Sequence, residues 1–475
     1  MRSLSFVFLL LALLLSACTS RPPTPYGPCP SEAQLRWQRM EMNMFCHFGP
    51  NTFSGLEWGE GTEKEDMFSP TALDCNQWAA VAKAAGMKGI IITAKHHDGF
   101  CLWPNPVSNH TVAQSSWLRG KGDVLRELSD ACCKADVKFG VYISPWDRNA
   151  PTYGTPEYNE TFRRTLESAL SQYGEIFEQW FDGANGEGSN GKRQEYDWPL
   201  FNSTVARLQP QAVIFSDVGP GCRWMGNEAG CCGETCWSRI NIEGFEPGSK
   251  SPATDVLNHG IPEGEVWVPA ETDVSIRPGW FYHADEQPKS LQQLLSIYYT
   301  SVGRNSLLLL NVPPDTRGLI PAADSLRLVE FRNALDSIFA HDLSQDARVT
   351  ASSHRGRAYR PSNVTDTHYH RYWTAHDTCL TPTVTLTFDH LVTFNRIMLQ
   401  EYIPLGQRVA QFEIDVLHNG QWQRLCQATT IGYKRILLMA QTTTTALRIR
   451  FVKCHACPVI NRVALFQDNI YTDNL

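Results

Sequence analysis

Asp182 stands directly behind an apolar run, in Gln179-Trp180-Phe181-Asp182-Gly183. Two carboxyl groups facing each other across a glycosidic bond could break it. One attacks or activates water, and the other protonates the departing oxygen. By strand alternation Trp180 lies on the same side as Asp182, and Gly183 permits a sharp exit. A lone aspartate at a strand end is otherwise a common helix cap or turn former. Candidates for the second carboxyl are Glu187, Asp217, Glu228 and Glu271. Glu228 lies in the glycine-punctuated loop Arg223-Trp224-Met225-Gly226-Asn227-Glu228-Ala229-Gly230. An indole such as Trp224 beside it would favour the protonated form that a general acid needs, although a surface-loop glutamate would look the same.

A second constellation is Lys95-His96-His97-Asp98-Gly99-Phe100. Adjacent histidines face opposite ways in an extended chain, so a bend at Asp98-Gly99 is required to bring both rings to one pocket. Neutral imidazoles suit vicinal sugar hydroxyls. With His47 and Asp182 they could instead hold a metal, but the H-x-H pair that metallohydrolase barrels typically carry on the first strand is absent there, and hydroxyl binding is the favoured reading. Glu57-Trp58 sets a carboxylate for hydroxyls beside an indole for an apolar sugar face, or else a loop staple.

These residues need a scaffold that brings them together. Apolar runs recur at residues 43–47, 89–94, 139–143, 176–181, 212–215, 266–269 and 307–312, with helical patterns at 75–85, 123–135, 156–173 and 291–302. Repeated strand-then-helix predicts an α/β chain forming a (β/α)8-like barrel over residues 31–342, the eighth strand being inferred. His47, His96-His97, Trp146-Asp147, Asp182, Asp217 and Glu271 end successive runs, and parallel barrel strands would converge these ends on one mouth. After a helix at 325–340, period-two alternation, as in Thr383-Val384-Thr385-Leu386, predicts an antiparallel β-sandwich over 343–475.

The bulk numbers narrow the class. The chain has 475 residues and net charge −7 with no basic block, which argues against a nucleic-acid partner. Residues 1–18 pair Arg2 with an apolar run at 6–15 and Leu15-Ser16-Ala17-Cys18, a pattern similar to a bacterial lipoprotein signal in which Cys18 is acylated. Residues 19–30 would be a tether. The expected location is the bacterial outer membrane, periplasmic or surface-facing, with membrane contact through the lipid anchor only. The remaining cysteines show no paired zinc pattern, and no metal or other cofactor is expected.

Phe45-Cys46-His47-Phe48-Gly49, Glu57-Trp58, Lys95-His96-His97-Asp98-Gly99-Phe100, Tyr142 and Trp180-Phe181-Asp182-Gly183 together resemble glycoside hydrolase family 29, the α-L-fucosidases. The resemblance spans most of residues 31–340. It implies Asp182 as nucleophile and His47, Glu57, Trp58, His96, His97, Tyr142 and Trp180 around fucose. The Arg223–Gly230 loop looks like the acid/base segment of the subfamily preferring α-1,3 or α-1,4 fucose on branched, Lewis-type glycans, which implies Glu228. Glu271 and Trp280 would lie on the aglycone rim. The partner is then a fucosylated oligosaccharide or glycoconjugate. A broad-specificity fucosidase, a non-catalytic fucosylated-glycan-binding protein and a metal-dependent hydrolase are the competing readings. Val349-Thr350-Ala351-Ser352-Ser353 and Tyr372-Trp373-Thr374-Ala375 are similar to galactose-binding-like (discoidin-type) sandwiches, which would bind sugar or brace the barrel.

Overall fold

Eight parallel strands close into a barrel in the computed structural model, which describes residues 21–468. They are β1 (Met42–Cys46), β2 (Gly89–Lys95), β3 (Lys138–Ile143), β4 (Ile176–Trp180), β5 (Val213–Ser216), β6 (Cys222–Trp224), β7 (Ala270–Ser275) and β8 (Ser306–Asn311). Each pairs with its neighbour in chain order, and β8 returns to β1 with Met42 opposite Leu308 and Phe45 opposite Asn311. Runs such as Ile90-Ile91-Ile92 and Leu307-Leu308-Leu309-Leu310 are fully buried, as strands covered on both faces must be.

Helices wrap the outside. Asp74 and Asp123 cap two of them, Cys75–Ala84 and Val124–Ala135, by accepting their first free N–H groups. Arg277 and Asp324 form a buried two-pronged pair, Nε to Oδ2 at 2.8 Å and Nη2 to Oδ1 at 2.9 Å, that ties the segment after β7 to the helix Ala322–Ile338.

Two strands differ from expectation. β6 has only three residues and shows no period of its own. The apolar run at 266–269 is not a barrel strand, because Val266–Trp267 pairs antiparallel with Arg239–Ile240 in a separate ribbon. The barrel strand begins at Ala270, so Glu271 is its second residue rather than a residue at its end.

The second unit comprises residues 341–468 together with residues 21–29. Seven antiparallel strands enclose a core that includes Trp373, Phe394, Leu399, Phe412 and Ile449. The short alternating runs expected there are joined into long strands, Thr383–Glu401 and Arg435–Cys454, whose pairing is interrupted by register shifts. Bulges of this kind bend a strand, which lets a sheet curve round its own core.

The stretch 19–30, expected to be a tether, is bonded to this unit at Arg21, Thr24 and Tyr26. Tyr26 N–H donates to Leu405 O at 3.0 Å, Arg408 Nη2 to Thr24 O at 2.6 Å, and Arg355 Nε to Arg21 O at 2.7 Å. The signal segment 1–18 with Cys18 lies outside the described residues.

Candidate active site

A cavity of about 200 Å³ opens at the C-terminal ends of the barrel strands. Phe45, Tyr142 and Trp180, from β1, β3 and β4, line its apolar side. Trp180 is held flat against Phe215 from β5, with ring centroids 4.0 Å apart and planes 7° apart, and stacks on Tyr142 at 5.2 Å.

Asp182 enters two residues after Trp180, on the same side of the chain. Its Oδ2 accepts from the Tyr142 hydroxyl at 3.0 Å, and Oδ1 accepts from Ala184 N–H at 2.7 Å. Desolvation pushes its carboxyl above the usual carboxylate range, and these two donors work against that push. The turn needs glycine next, since a Cβ on Gly183 would lie 2.2 Å from Asp217 Oδ1.

The histidines are buried and neutral. Burial pushes His47 and His97 down to about 3 and His96 well below its ordinary value, and the neighbouring cation Lys95 adds to the effect at His96 and His97. Their tautomers follow from their partners. His47 Nδ1 meets Asn311 Oδ1 at 2.9 Å, while Asn311 Nδ2 donates to Ser275 Oγ and Trp280 O; His47 therefore carries its proton on Nδ1. His97 Nδ1 lies 2.7 Å from Ser144 Oγ, whose own hydrogen goes to Trp146 O, so His97 is also protonated on Nδ1. Its bare Nε2 then faces Asp182 Oδ2 at 3.7 Å. Two acceptors at that separation call for a hydroxyl donor near them, which a sugar supplies. His96 Nδ1 accepts from Asn51 Nδ2 at 3.5 Å, leaving Nε2–H as a donor.

Glu57 joins the first barrel loop to the segment after β7. Its Oε2 accepts from Trp280 N–H at 2.9 Å and Phe281 N–H at 3.4 Å, and Oε1 meets His283 Nε2 at 2.8 Å. Trp58 is 58% exposed at the rim, edge-on to His97 and Trp146. Glu228 is exposed on its loop, and its Oε2 accepts from Trp280 Nε1 at 3.1 Å. The structure thus gathers His47, Glu57, Trp58, His96, His97, Tyr142, Trp180, Asp182, Glu228 and Trp280 around one cavity.

Glu271 is a correction. It does not reach the cavity rim but lies fully buried below, where its Oε1 accepts from Trp180 Nε1 at 2.9 Å. The strand starts later than expected, which places Glu271 one layer down and raises Asp273, two residues on, to the cavity. The family resemblance places the whole run Pro269-Ala270-Glu271-Thr272-Asp273 at the rim, without singling out Asp273. Asp273 is buried with Oδ1 unpartnered, and desolvation, then the Glu228 charge, hold its carboxyl well above the carboxylate range. Burial therefore favours the protonated form of Asp273, whose unpartnered Oδ1 lies at the cavity. Sequence reading missed His283 and Asn311, which orient Glu57 and His47; no motif or period marks either of them.

His47, His96, His97 and Asp182 do not form a compact ligand set. Among the described residues the one group of metal-capable donors within 4.8 Å of each other is Glu178, Cys222 and Glu271, beneath the cavity.

A blind cavity at the mouth of a (β/α)8 barrel, lined by carboxyls, neutral imidazoles and indoles, is the site of a glycoside hydrolase. The alpha-L-fucosidase family model matches residues 30–336. The chain therefore belongs to the α-L-fucosidase family and is an α-L-fucosidase. It is 44% identical over 453 residues to Alpha-L-fucosidase 1 of Arabidopsis thaliana, spanning 94% of this chain and 89% of the relative. A crystal structure of a putative alpha-L-fucosidase from Bacteroides thetaiotaomicron superposes with TM-score 0.89 at 38% identity, covering 95% of this chain and 100% of that one. A family 29 fucosidase of Ruminococcus gnavus, solved in complex with fucose, gives TM-score 0.88 at 30% identity, covering 96% and 98%.

Proposed function

We propose that the protein is a retaining exo-α-L-fucosidase that releases terminal α-1,3- or α-1,4-linked fucose from branched, Lewis-type glycans. The observation that carries this reading is the placement of the two carboxyls. Asp182 sits beside the aromatic floor, and Glu228 lines the same cavity from an exposed loop, held by Trp280. Fucose enters with its methyl group against the aromatic wall, and its hydroxyls donate to the bare Nε2 atoms of His47 and His97. Asp182 attacks the anomeric carbon while Glu228 protonates the leaving oxygen. The resulting fucosyl ester is hydrolysed by water that Glu228 deprotonates, so configuration is retained. Asp273 and Trp280, on the Glu228 side, would contact the branching sugar.

The test is incubation with a Lewis-type trisaccharide and with 2′-fucosyllactose, using wild type and Asp182→Ala, with the first-formed anomer read by NMR. Fucose from the trisaccharide, slow release from 2′-fucosyllactose and an α-anomeric first product support the reading. Equal rates would reject the linkage preference, and a β-anomer would reject retention. An outer-membrane lipoprotein acylated at Cys18 is part of the same proposal, motivated by Leu15-Ser16-Ala17-Cys18, and a Cys18→Ser variant that still carries lipid by mass spectrometry would overturn it.

A further inference from the structure

Beneath the cavity floor, β4 and β7 point Glu178 and Glu271 at each other. Both side chains are fully buried. Glu178 Oε2 accepts from Trp37 Nε1 at 2.7 Å, and its Oε1 takes the Cys222 thiol at 3.5 Å. Glu271 Oε1 accepts from Trp180 Nε1 at 2.9 Å, whereas its Oε2 is buried with no donor. Donor atoms of Glu178, Cys222 and Glu271 all lie within 4.8 Å of one another.

Among the described residues no cation acts on either carboxyl. Arg223 on β6 spends its guanidinium on the carbonyls of Leu257, Val268 and Trp237. Asp273, two residues along β7, adds only another acid. Two buried charges of one sign with no counter-ion are strongly disfavoured even after relaxation, so the cheaper state holds a proton between them.

We propose that Glu178 and Glu271 share one proton, with Glu271 the neutral acid donating through Oε2 to Glu178, and that this pair is the positioning device for Trp180. Burial raises both carboxyls, and the Glu178 charge raises Glu271 further; both Glu178 oxygens already accept donors while Glu271 Oε2 has none, which assigns the proton to Glu271 Oε2. The oxygen left to Glu271 then accepts the Trp180 indole N–H. Trp180 stacks on Tyr142, and Tyr142 donates to Asp182, so the pair sets the floor against which the nucleophile is aligned. This role rests on the reading of Asp182 as the nucleophile.

Glutamine reproduces the neutral acid, since its amide donates to Glu178 and its carbonyl accepts from Trp180. Glu271→Gln should therefore keep kcat/KM within about threefold of wild type, while Glu271→Leu, which leaves the indole N–H unpaired, should lose about tenfold or more. Infrared difference spectra of wild type against Glu271→Gln at about pH 7 should show a protonated-acid carbonyl band in wild type alone. Glu271→Gln as impaired as Glu271→Leu, an unimpaired Glu271→Leu, or no such band would each overturn the proposal. If Glu271→Leu does not fold, the glutamine variant and the band decide the matter. Asp182→Ala separates the two readings, because it should abolish fucose release and leave the band in place; a band without Asp182 dependence of activity faults the nucleophile instead.

Discussion

The Tyr142 hydroxyl donates to Asp182 Oδ2 across 3.0 Å, making a residue of the pocket wall a direct partner of the proposed nucleophile. Removing that hydroxyl in Tyr142→Phe deletes a hydrogen bond to the charged form, an interaction of about 1.5–3 kcal/mol. kcat/KM should fall about ten- to hundredfold. The pH profile should move too. As the proposed nucleophile Asp182 would act as the anion, and losing a donor to the anion raises its pKa, already raised by desolvation. Activity should then fail at a higher pH on acidification than in wild type, and steady-state rates across the acid limb check this.

The buried histidines should not titrate with the activity. With their pKa values lowered by burial, His47, His96 and His97 stay neutral as pH falls through the range where a free imidazole gains its proton. Nitrogen chemical shifts of the labelled imidazoles should show neutral rings at about pH 5. A protonated ring there would remove the hydroxyl-acceptor role assigned to His47 and His97.

Glu228→Ala should separate acid assistance from nucleophilic attack. Loss of general acid catalysis costs about 10²–10⁴-fold on an oligosaccharide, whose leaving oxygen needs a proton. α-L-Fucosyl fluoride, whose leaving group needs little protonation, should be consumed with a much smaller loss. A similar loss on both substrates would assign Glu228 to binding rather than to proton transfer.

Asp324→Ala should destabilise the barrel. It strands the buried Arg277 guanidinium, which Asp324 meets through two hydrogen bonds. Breaking such a pair from one side costs about 3–5 kcal/mol. Urea denaturation should show a lowered midpoint with unchanged slope.

Much of the site was legible because its residues follow strands made of unbroken apolar runs. Ile90-Ile91-Ile92 announces a buried strand, and His96-His97 stand at its exit; the same holds for Asp182 after β4. Glu271 was misplaced for a related reason. Val266 and Trp267 look like a strand, whereas β7 itself reads Ala-Glu-Thr-Asp-Val-Ser. The barrel interior there is polar, so hydrophobic periodicity points to the wrong segment. β6 was invisible because three residues cannot show a period. Glu178 and Glu271 lie far apart in sequence, and only barrel closure reveals them as a pair.

That closure has a kinetic meaning. The β1–β8 seam joins residues near position 42 to residues near 308, and the Asn311 that orients His47 comes with β8. Pairing so distant in sequence is slow to form, since the intervening chain must be ordered first. Helices on the barrel surface can form while the seam is still open. During refolding, fucose release should therefore return later than helical circular dichroism, and the appearance of activity would time the zipping of the last pair of strands.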